Sequence, residues 1–223
     1  MIKPIAHIHT DFKDKFGIPR QSGRVNELVG KIVFLQKYHD PDYIRGLEEF
    51  SHLWLIFDFS LAHRENFSPT VRPPRLGGNK RVGVFASRSP FRPNNIGLSS
   101  VRLLGIEASQ NDGQILVVSG ADLLDGTPIY DIKPYIPYTD CHPDAKGSYA
   151  DREQFHTLKV EYDQSVLNIV SEDKRNALIS CLSDDPRPAY HNDKREYTMS
   201  FADFNIHFHV DNDILYITKI DKL

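Results

Sequence analysis

Cysteine is scarce: Cys141 and Cys181, forty positions apart, are the only two in 223 residues. They leave neither a disulfide framework nor a Cys-x-x-Cys metal or redox motif. Long apolar runs are also missing. The longest, Leu53–Phe57, falls far short of the ~20 residues a membrane-spanning helix needs, so no transmembrane helix is expected. Met1-Ile2-Lys3-Pro4-Ile5-Ala6-His7 has neither the apolar stretch nor the small-residue cleavage site of a secretory signal, which points to the cytoplasm. Gly77-Gly78-x-x-x-x-Gly83 fits neither Gly-x-Gly-x-x-Gly nor a P-loop, which needs a Lys-Ser/Thr ending. No Gly-x-Ser-x-Gly elbow presents a nucleophilic serine. Classical dinucleotide, nucleoside-triphosphate and serine-hydrolase sites are therefore not expected.

A hydrophobic fraction of 40% with 26% charged residues is that of a folded globular chain. The net charge of −3 conceals a polarity along the chain. Residues 1–105 carry 16 Lys/Arg against 9 Asp/Glu, whereas residues 106–223 carry 11 against 21. Between Asn66 and Ile106 there is no acidic residue, only Arg72, Arg75, Lys80, Arg81, Arg88, Arg92 and Arg102. Such a strip suits a phosphate-bearing ligand or nucleic acid, and its bias to arginine favours bidentate contacts. A solvated basic face compensated by the acidic half is the alternative.

Short β-branched segments set off by Gly/Pro clusters predict seven strands: Ile2–His9, Lys31–Tyr38, His52–Phe59, Val82–Ser87, Ser99–Ile106, Gln114–Gly120 and Thr127–Lys133. That number suggests a sandwich or barrel. The single tryptophan, Trp54, is expected in the core because it lies in the most apolar strand. Pro137–Arg152 reads as a linker, dividing a first domain (1–145) from a second (150–223). The second is read as small α+β, with a strand at Leu158–Tyr162 and a helix starting at Ser171 and stopped by Asp184-Asp185-Pro186. Closing strands follow at Asp203–Val210 and Ile214–Ile220. His7-x-His9 and His207-x-His209 each put two imidazoles on one strand face, but neither has a nearby third ligand, so no metal is expected.

Three stretches combine polar side chains with conformationally costly residues: Pro19–Gly23, Phe85–Gly97 and Asp122–Tyr135. Rigid backbone donors and guanidiniums there suit a carboxylate or phosphate; a tight barrel corner is the plainer reading. At these stretches the chain resembles the TrmO family of tRNA methyltransferases, with its TsaA-like domain. The matching words are Pro19-Arg20-Gln21, Gly46-Leu47-Glu48-x-Phe50-Ser51-His52-Leu53-Trp54, Arg72-Pro73-Pro74-Arg75-Leu76-Gly77-Gly78, Gly83–Ser89, Phe91-Arg92-Pro93-Asn94, Asp125-Gly126-Thr127-Pro128 and Asp131–Tyr135. Asp185-Pro186-Arg187-Pro188-Ala189-Tyr190 resembles the family's bacterial C-terminal extension. One departure is Asn95, where the family pattern has proline.

The resemblance implies a seven-stranded β-barrel that binds S-adenosylmethionine and works as a homodimer. Its implied substrate is tRNA with N6-threonylcarbamoyladenosine at position 37, methylated on N6. It also implies donor contacts at Pro19, Arg20, Gln21, His63, Arg64, Arg88, Leu98, Asp122, Leu123, Leu124 and Asp125. Chemistry adds provisional roles: Arg20 and Arg88 for the donor's carboxylate, and Leu98, Leu123 and Leu124 as apolar walls. Arg72, Arg75, Lys80 and Arg81 are assigned to the RNA backbone. The amide-like N6 is a poor nucleophile until its proton is polarised or removed. Asp131, in a polar run, is the candidate base, with Tyr135 in reserve. A non-catalytic RNA- or nucleotide-binding barrel is the main alternative; a metal-dependent hydrolase survives only through the His-x-His pairs.

Overall fold

A computed structural model describes residues 2–73, 76, 79–151, 157–188 and 195–223. Arg75 and the Ala189-Tyr190 end of the C-terminal word lie outside the described residues.

Six antiparallel strands build the first unit: β1 (Ala6–His9), β2 (Val29–Phe34), β3 (His52–Asp58), β6 (Ile96–Ser109), β7 (Gly113–Ser119) and β8 (Thr127–Pro134). They close in the order β1-β2-β7-β6-β3-β8, with β8 pairing back onto β1 through Ala6 and Ile129. Closure leaves no free strand edge. Side chains that alternate inward fill the interior, among them Ile8, Ile32, Leu53, Leu55, Leu116, Val118 and Ile129.

Of the seven expected strands, Val82–Ser87 is the one that does not join this ring. Only Val82–Gly83 (β5) is extended, and it pairs with Thr70–Val71 (β4) in a separate two-stranded ribbon. Val84–Ala86 then forms a 3-10 turn, because the Ser87 hydroxyl and N–H both donate to the Val84 carbonyl. Trp54 also departs from expectation. With Leu53, Leu55 and Phe57 inside, strand parity puts residues 52, 54, 56 and 58 on the outer face. The indole packs there against Tyr135, at 5.5 Å between ring centroids, and its Nε1 donates to Asp140 Oδ2 at 2.9 Å. Asp140 ends a single helical turn, α1 (Pro137–Asp140), within the expected linker.

The second unit is a four-stranded sheet in the order β10-β11-β12-β9: β9 (Lys159–Glu161), β10 (Tyr197–Phe201), β11 (Phe204–Asp211) and β12 (Ile214–Lys222). β10 was not anticipated. Two helices, α2 (Gln164–Leu167) and α3 (Glu172–Ser183), cover the sheet; Ala177, Leu178, Cys181 and Leu182 of α3 are buried in its core. α3 follows Ser171 as expected and ends before Asp184-Asp185-Pro186, where Asp185 takes a left-handed φ of 51°.

That second core is not made by the second unit alone. Phe12, Val25 and Leu28, from the connection between β1 and β2, are buried in it beside Met199, Phe201 and Phe208. Phe12 meets Phe201 edge-on at 5.7 Å. Gly17 lies so close to Met199 that a Cβ would fall 2.2 Å from its sulfur, and its φ of 94° is one that side chains disfavour. The Ala202 N–H donates to the Asp11 carbonyl at 2.7 Å, and Lys174 pairs with the Asp11 carboxylate. The two units therefore share a stretch of chain.

Phe12→Ala is expected to cost about 3–5 kcal/mol, the usual range for truncating a buried phenylalanine. Denaturant unfolding followed by Trp54 fluorescence, which reports the barrel, should shift to lower denaturant together with the circular dichroism of the whole chain. A Trp54 transition that stays in place would show that the two cores unfold independently.

Candidate functional site

β6 outruns its neighbour β7: their pairing begins at Arg102 and Ser119, leaving Gly97–Val101 to meet the chain beyond β7. There Ser99 Oγ donates to Asp122 Oδ1 at 2.6 Å. Gly120, with φ of 75°, lets residues 19–24 come against this rim, since a Cβ on it would sit 3.2 Å from the Gly23 backbone. The Gly23 N–H donates to the Gly120 carbonyl at 2.8 Å. In the same place Arg88 Nη1 donates to Gln21 Oε1, and the Ser22 backbone hydrogen-bonds Asp122. Pro19-Arg20-Gln21, Arg88 and Asp122, remote in sequence, thus meet at one corner of the barrel. Leu98 stands beside Ser99 on the outer face, 55% exposed despite being apolar.

Burial pushes the Asp122 carboxyl above its ordinary value, against the opposing pull of the Ser99 hydroxyl and the Arg88 charge. Its negative charge is therefore only partly compensated, which leaves an acceptor suited to a cationic or hydroxyl-bearing ligand. The rest of Asp122–Asp125 is differently employed. Leu123 is packed in the barrel core and Leu124 against the second core. Asp125 holds the N-terminal segment, accepting from the Thr10 N–H at 3.1 Å and from Lys13 Nζ at 2.9 Å, with His9 Nδ1 at 3.2 Å. Although desolvation opposes it, the Lys13 hydrogen bond and charge hold the Asp125 carboxyl below its usual range.

A cleft of about 1680 Å³ opens from this corner between residues 62–73, 81–95 and 146–151. Arg20, Arg64, Arg72, Arg81, Arg88 and Arg92 all line it, with Lys146 and, among the described residues, one acid, Asp151. The arginines expected to contact the donor and the described ones expected to contact RNA therefore share one cavity. Lys80 is exposed and outside this lining. Asn95 braces the loops beside it: its Nδ2 donates to the Pro90 carbonyl at 2.7 Å and the Ala62 carbonyl at 3.2 Å, a pair of bonds proline cannot make. Arg64 stacks over Phe91 at 4.0 Å.

His63 is oriented by Asp58, whose Oδ1 is 2.7 Å from its Nε2. Asp58 also accepts from Tyr130; partial desolvation, then the Asp58 charge and hydrogen bond, raises that phenol's pKa. Asp131 lies on the outer barrel face, opposite Ile56, which in turn pairs with Leu98. Its carboxylate accepts from the Ile132 N–H at 3.0 Å and lies 3.1 Å from Lys133 Nζ. Tyr135 is further along, between His52 and Trp54; desolvation, then Cys141 and Asp140, pushes its phenol up, so it is a proton donor rather than a base at neutral pH. The His-x-His pairs are dispersed among other partners. His9 faces Asp125, His207 lies between Thr198 and Asp221, and His209 stacks on Tyr216.

The loop carrying Arg20 and Gln21 is fastened to the second unit. Arg20 Nη2 donates to the Arg187 carbonyl at 2.6 Å. Arg24 pairs with Asp184, with only 17% and 10% of the two side chains exposed. Arg187, itself buried, is braced by Asp185 through two hydrogen bonds of 2.9 and 3.0 Å. The Asp-Pro-Arg-Pro turn is thus a bracket for residues 20–24.

Comparison with known proteins matches the two units separately. The family model of the tRNA-methyltransferase O N-terminal domain covers residues 7–141, and that of the TrmO C-terminal domain covers residues 156–223. The chain belongs to the TrmO family. It is 41% identical over 215 residues to an Escherichia coli protein named tRNA (adenine(37)-N6)-methyltransferase, covering 92% of this chain and 91% of that one. A Pseudomonas aeruginosa relative, whose name includes S-adenosylmethionine-dependent methyltransferase, is 40% identical over 220 residues, 93% of this chain and 91% of that one. The crystal structure of TrmO from P. aeruginosa superposes with a TM-score of 0.81 at 33% identity, covering 100% and 97% of the two chains. In TrmO terms, the bracket at Asp184–Arg187 belongs to the C-terminal domain and the loop it holds to the N-terminal one.

Sequence reasoning assigns no individual site role to Asp58, Ser99, Tyr130 or Asp184. Asp58 carries a readable signal, a carboxylate closing the most apolar strand; the others are unremarkable until the fold pairs them.

Asp184→Ala should lower stability, because it removes the carboxylate that pairs with the largely buried Arg24 side chain; thermal or denaturant melting measures this. Asp122→Asn should show a pH signature. A folded-state pKa raised above the ordinary 3.8 contributes stability below that value, which is lost as pH rises through the folded pKa. The melting temperature of the variant relative to the parent should therefore climb as pH is raised from below 3.8 into the weakly acidic range.

Proposed function

We propose that this chain is an S-adenosylmethionine-dependent tRNA methyltransferase acting on N6 of adenosine 37, with N6-threonylcarbamoyladenosine as its substrate nucleoside. The observation that carries the reading is the convergence of Arg20, Gln21, Arg88, Leu98 and Asp122 at the open corner of the barrel. These side chains fit the donor chemically: guanidiniums for its carboxylate, a buried carboxylate for its ammonium or ribose hydroxyls, and an exposed leucine for an apolar face. His63 and Arg64, fixed by Asp58 and Phe91, complete the proposed donor set with Pro19 and Asp122–Asp125. Leu123 and Leu124 contribute through the backbone that their buried and partly buried side chains, respectively, anchor.

S-adenosylmethionine, when bound, supplies an electrophilic methyl group and departs neutral. The protein's remaining tasks are orientation and management of the N6 proton. Asp131 is the proposed acceptor of that proton, since it is half exposed and separated from Leu98 only by Ile56 of β3. The neutral Tyr135 phenol is suited to donating a hydrogen bond to the substrate. Arg72 and Arg81, with Arg75 and Lys80, are proposed to hold RNA phosphates; Arg81 is already oriented by Thr70 and Ser68. A cytoplasmic homodimer is the proposed assembly.

Nucleoside mass spectrometry of tRNA from a deletion strain should show the methylated N6-threonylcarbamoyladenosine lost and its unmethylated precursor retained. Unchanged methylated nucleoside would overturn the proposal. Asp131→Asn should slow single-turnover methylation by about 100-fold or more, the usual contribution of a general base, while leaving donor binding by calorimetry intact. Wild-type rates across pH would remove Asp131 from the mechanism.

A further inference from the structure

Two phenylalanines in the arginine-lined cleft are used by nothing described so far. Phe85 is 80% exposed and Phe67 54%, and both line the cavity. Neither ring stacks on another ring among the described residues. Phe85 is not exposed by looseness: it is the middle residue of the Val84–Ala86 turn, where Val84 is buried and the Ser87 hydroxyl, at 2.9 Å from the Val84 carbonyl, closes the turn. The backbone therefore aims the ring outward. Phe67 precedes Ser68, whose hydroxyl accepts from Arg81 Nη2 at 3.1 Å, and it lines the same cavity as that oriented guanidinium. Across the cavity Phe91 is covered by Arg64; Phe67 and Phe85 have no such covering cation among the described residues.

Exposed rings set among arginines, in a stretch free of acid from Asn66 to Ile106, form the pattern by which proteins hold single-stranded nucleic acid: phosphates on the guanidiniums, bases on the rings. We infer that Phe67 and Phe85 are stacking platforms for unpaired bases of the RNA loop that presents the target adenosine. This rests on the tRNA reading above and adds to it a non-electrostatic half of recognition. Paired with itself in an isologous dimer, this cleft would set its six arginines against six like charges, so a second copy seated that way is the poorer occupant.

The test is tRNA binding at several salt concentrations by Phe67→Ala, Phe85→Ala and the double variant, with 2-aminopurine placed in the anticodon loop. Each single variant should weaken binding about tenfold and reduce 2-aminopurine quenching. The salt slope and S-adenosylmethionine affinity should stay unchanged, because no phosphate contact or donor contact is removed. Phe85→Trp, in a Trp54→Phe background, should restore binding, and its indole emission should be quenched by RNA; this readout stands even if an alanine variant folds poorly. Unchanged affinity, a flattened salt slope, or loss of affinity that tracks a change in oligomeric state would overturn the inference. If the wild-type protein neither binds nor methylates tRNA, the functional reading itself fails. If it does both while the ring variants are indistinguishable from it, only the stacking role falls.

Discussion

The connection between β1 and β2 has to satisfy two hydrophobic cores at once, and the rest of the molecule is arranged around that demand. It leaves the barrel at His9, buries Phe12, Val25 and Leu28 in the second core, and returns to the barrel at Val29. A chain pinned at both ends has little freedom in between, so the loop at Pro19–Arg24 is held in place by burial before any ligand arrives. The Arg24–Asp184 pair and the Arg20–Arg187 contact then determine which way its polar side chains point. Under the proposed function the C-terminal domain would be part of the site, because preorganisation of a binding loop lowers the entropy lost on binding.

Charge is distributed with the same economy of place. Four arginines of the basic strip, Arg72, Arg81, Arg88 and Arg92, are folded into one cleft in which Asp151 is the one acid among the described lining residues. The acidic groups around the barrel rim are separately committed: Asp125 to Lys13 and Thr10, Asp58 to His63 and Tyr130, and, from the second unit, Asp184 to Arg24. Asp122 is the exception, with its carboxyl pushed up by burial and only partly balanced by Arg88. A largely desolvated acceptor beside an open positive cleft would suit two different ligand chemistries, a cation at the first and phosphates at the second.

Asn95 illustrates how a departure from a family pattern is absorbed. Proline would restrict the backbone at that position through its ring; asparagine instead cross-links the Pro90 and Ala62 carbonyls through its side chain. Both devices immobilise the loop carrying Arg88 to Arg92, one by removing torsional freedom and the other by adding bonds. Trp54 shows the opposite case, a residue whose hydrophobicity misleads. An indole has a polar N–H, and on the outer face it reaches Asp140 while its ring covers Tyr135.

Strand positions, the helix after Ser171 and the motifs of the barrel corner were legible in the sequence, because period-two burial, turn residues and helix stops are local properties of a chain. The clustering of basic residues was legible for the same reason. The strand at Tyr197–Phe201 and the turn within Val82–Ser87 were not, since each depends on what pairs with it. Asp58, Ser99, Tyr130 and Asp184 gain meaning only from partners far away in sequence, such as Asp122 for Ser99 and Arg24 for Asp184. Only the tertiary structure decided that the arginines assigned to the donor and those assigned to RNA line one cavity, and that the second domain grips the loop of the first. Local patterning dictates which face of a strand is buried. It carries no information about which distant segment completes a core shared between two domains, and that shared core is what brings these residues together.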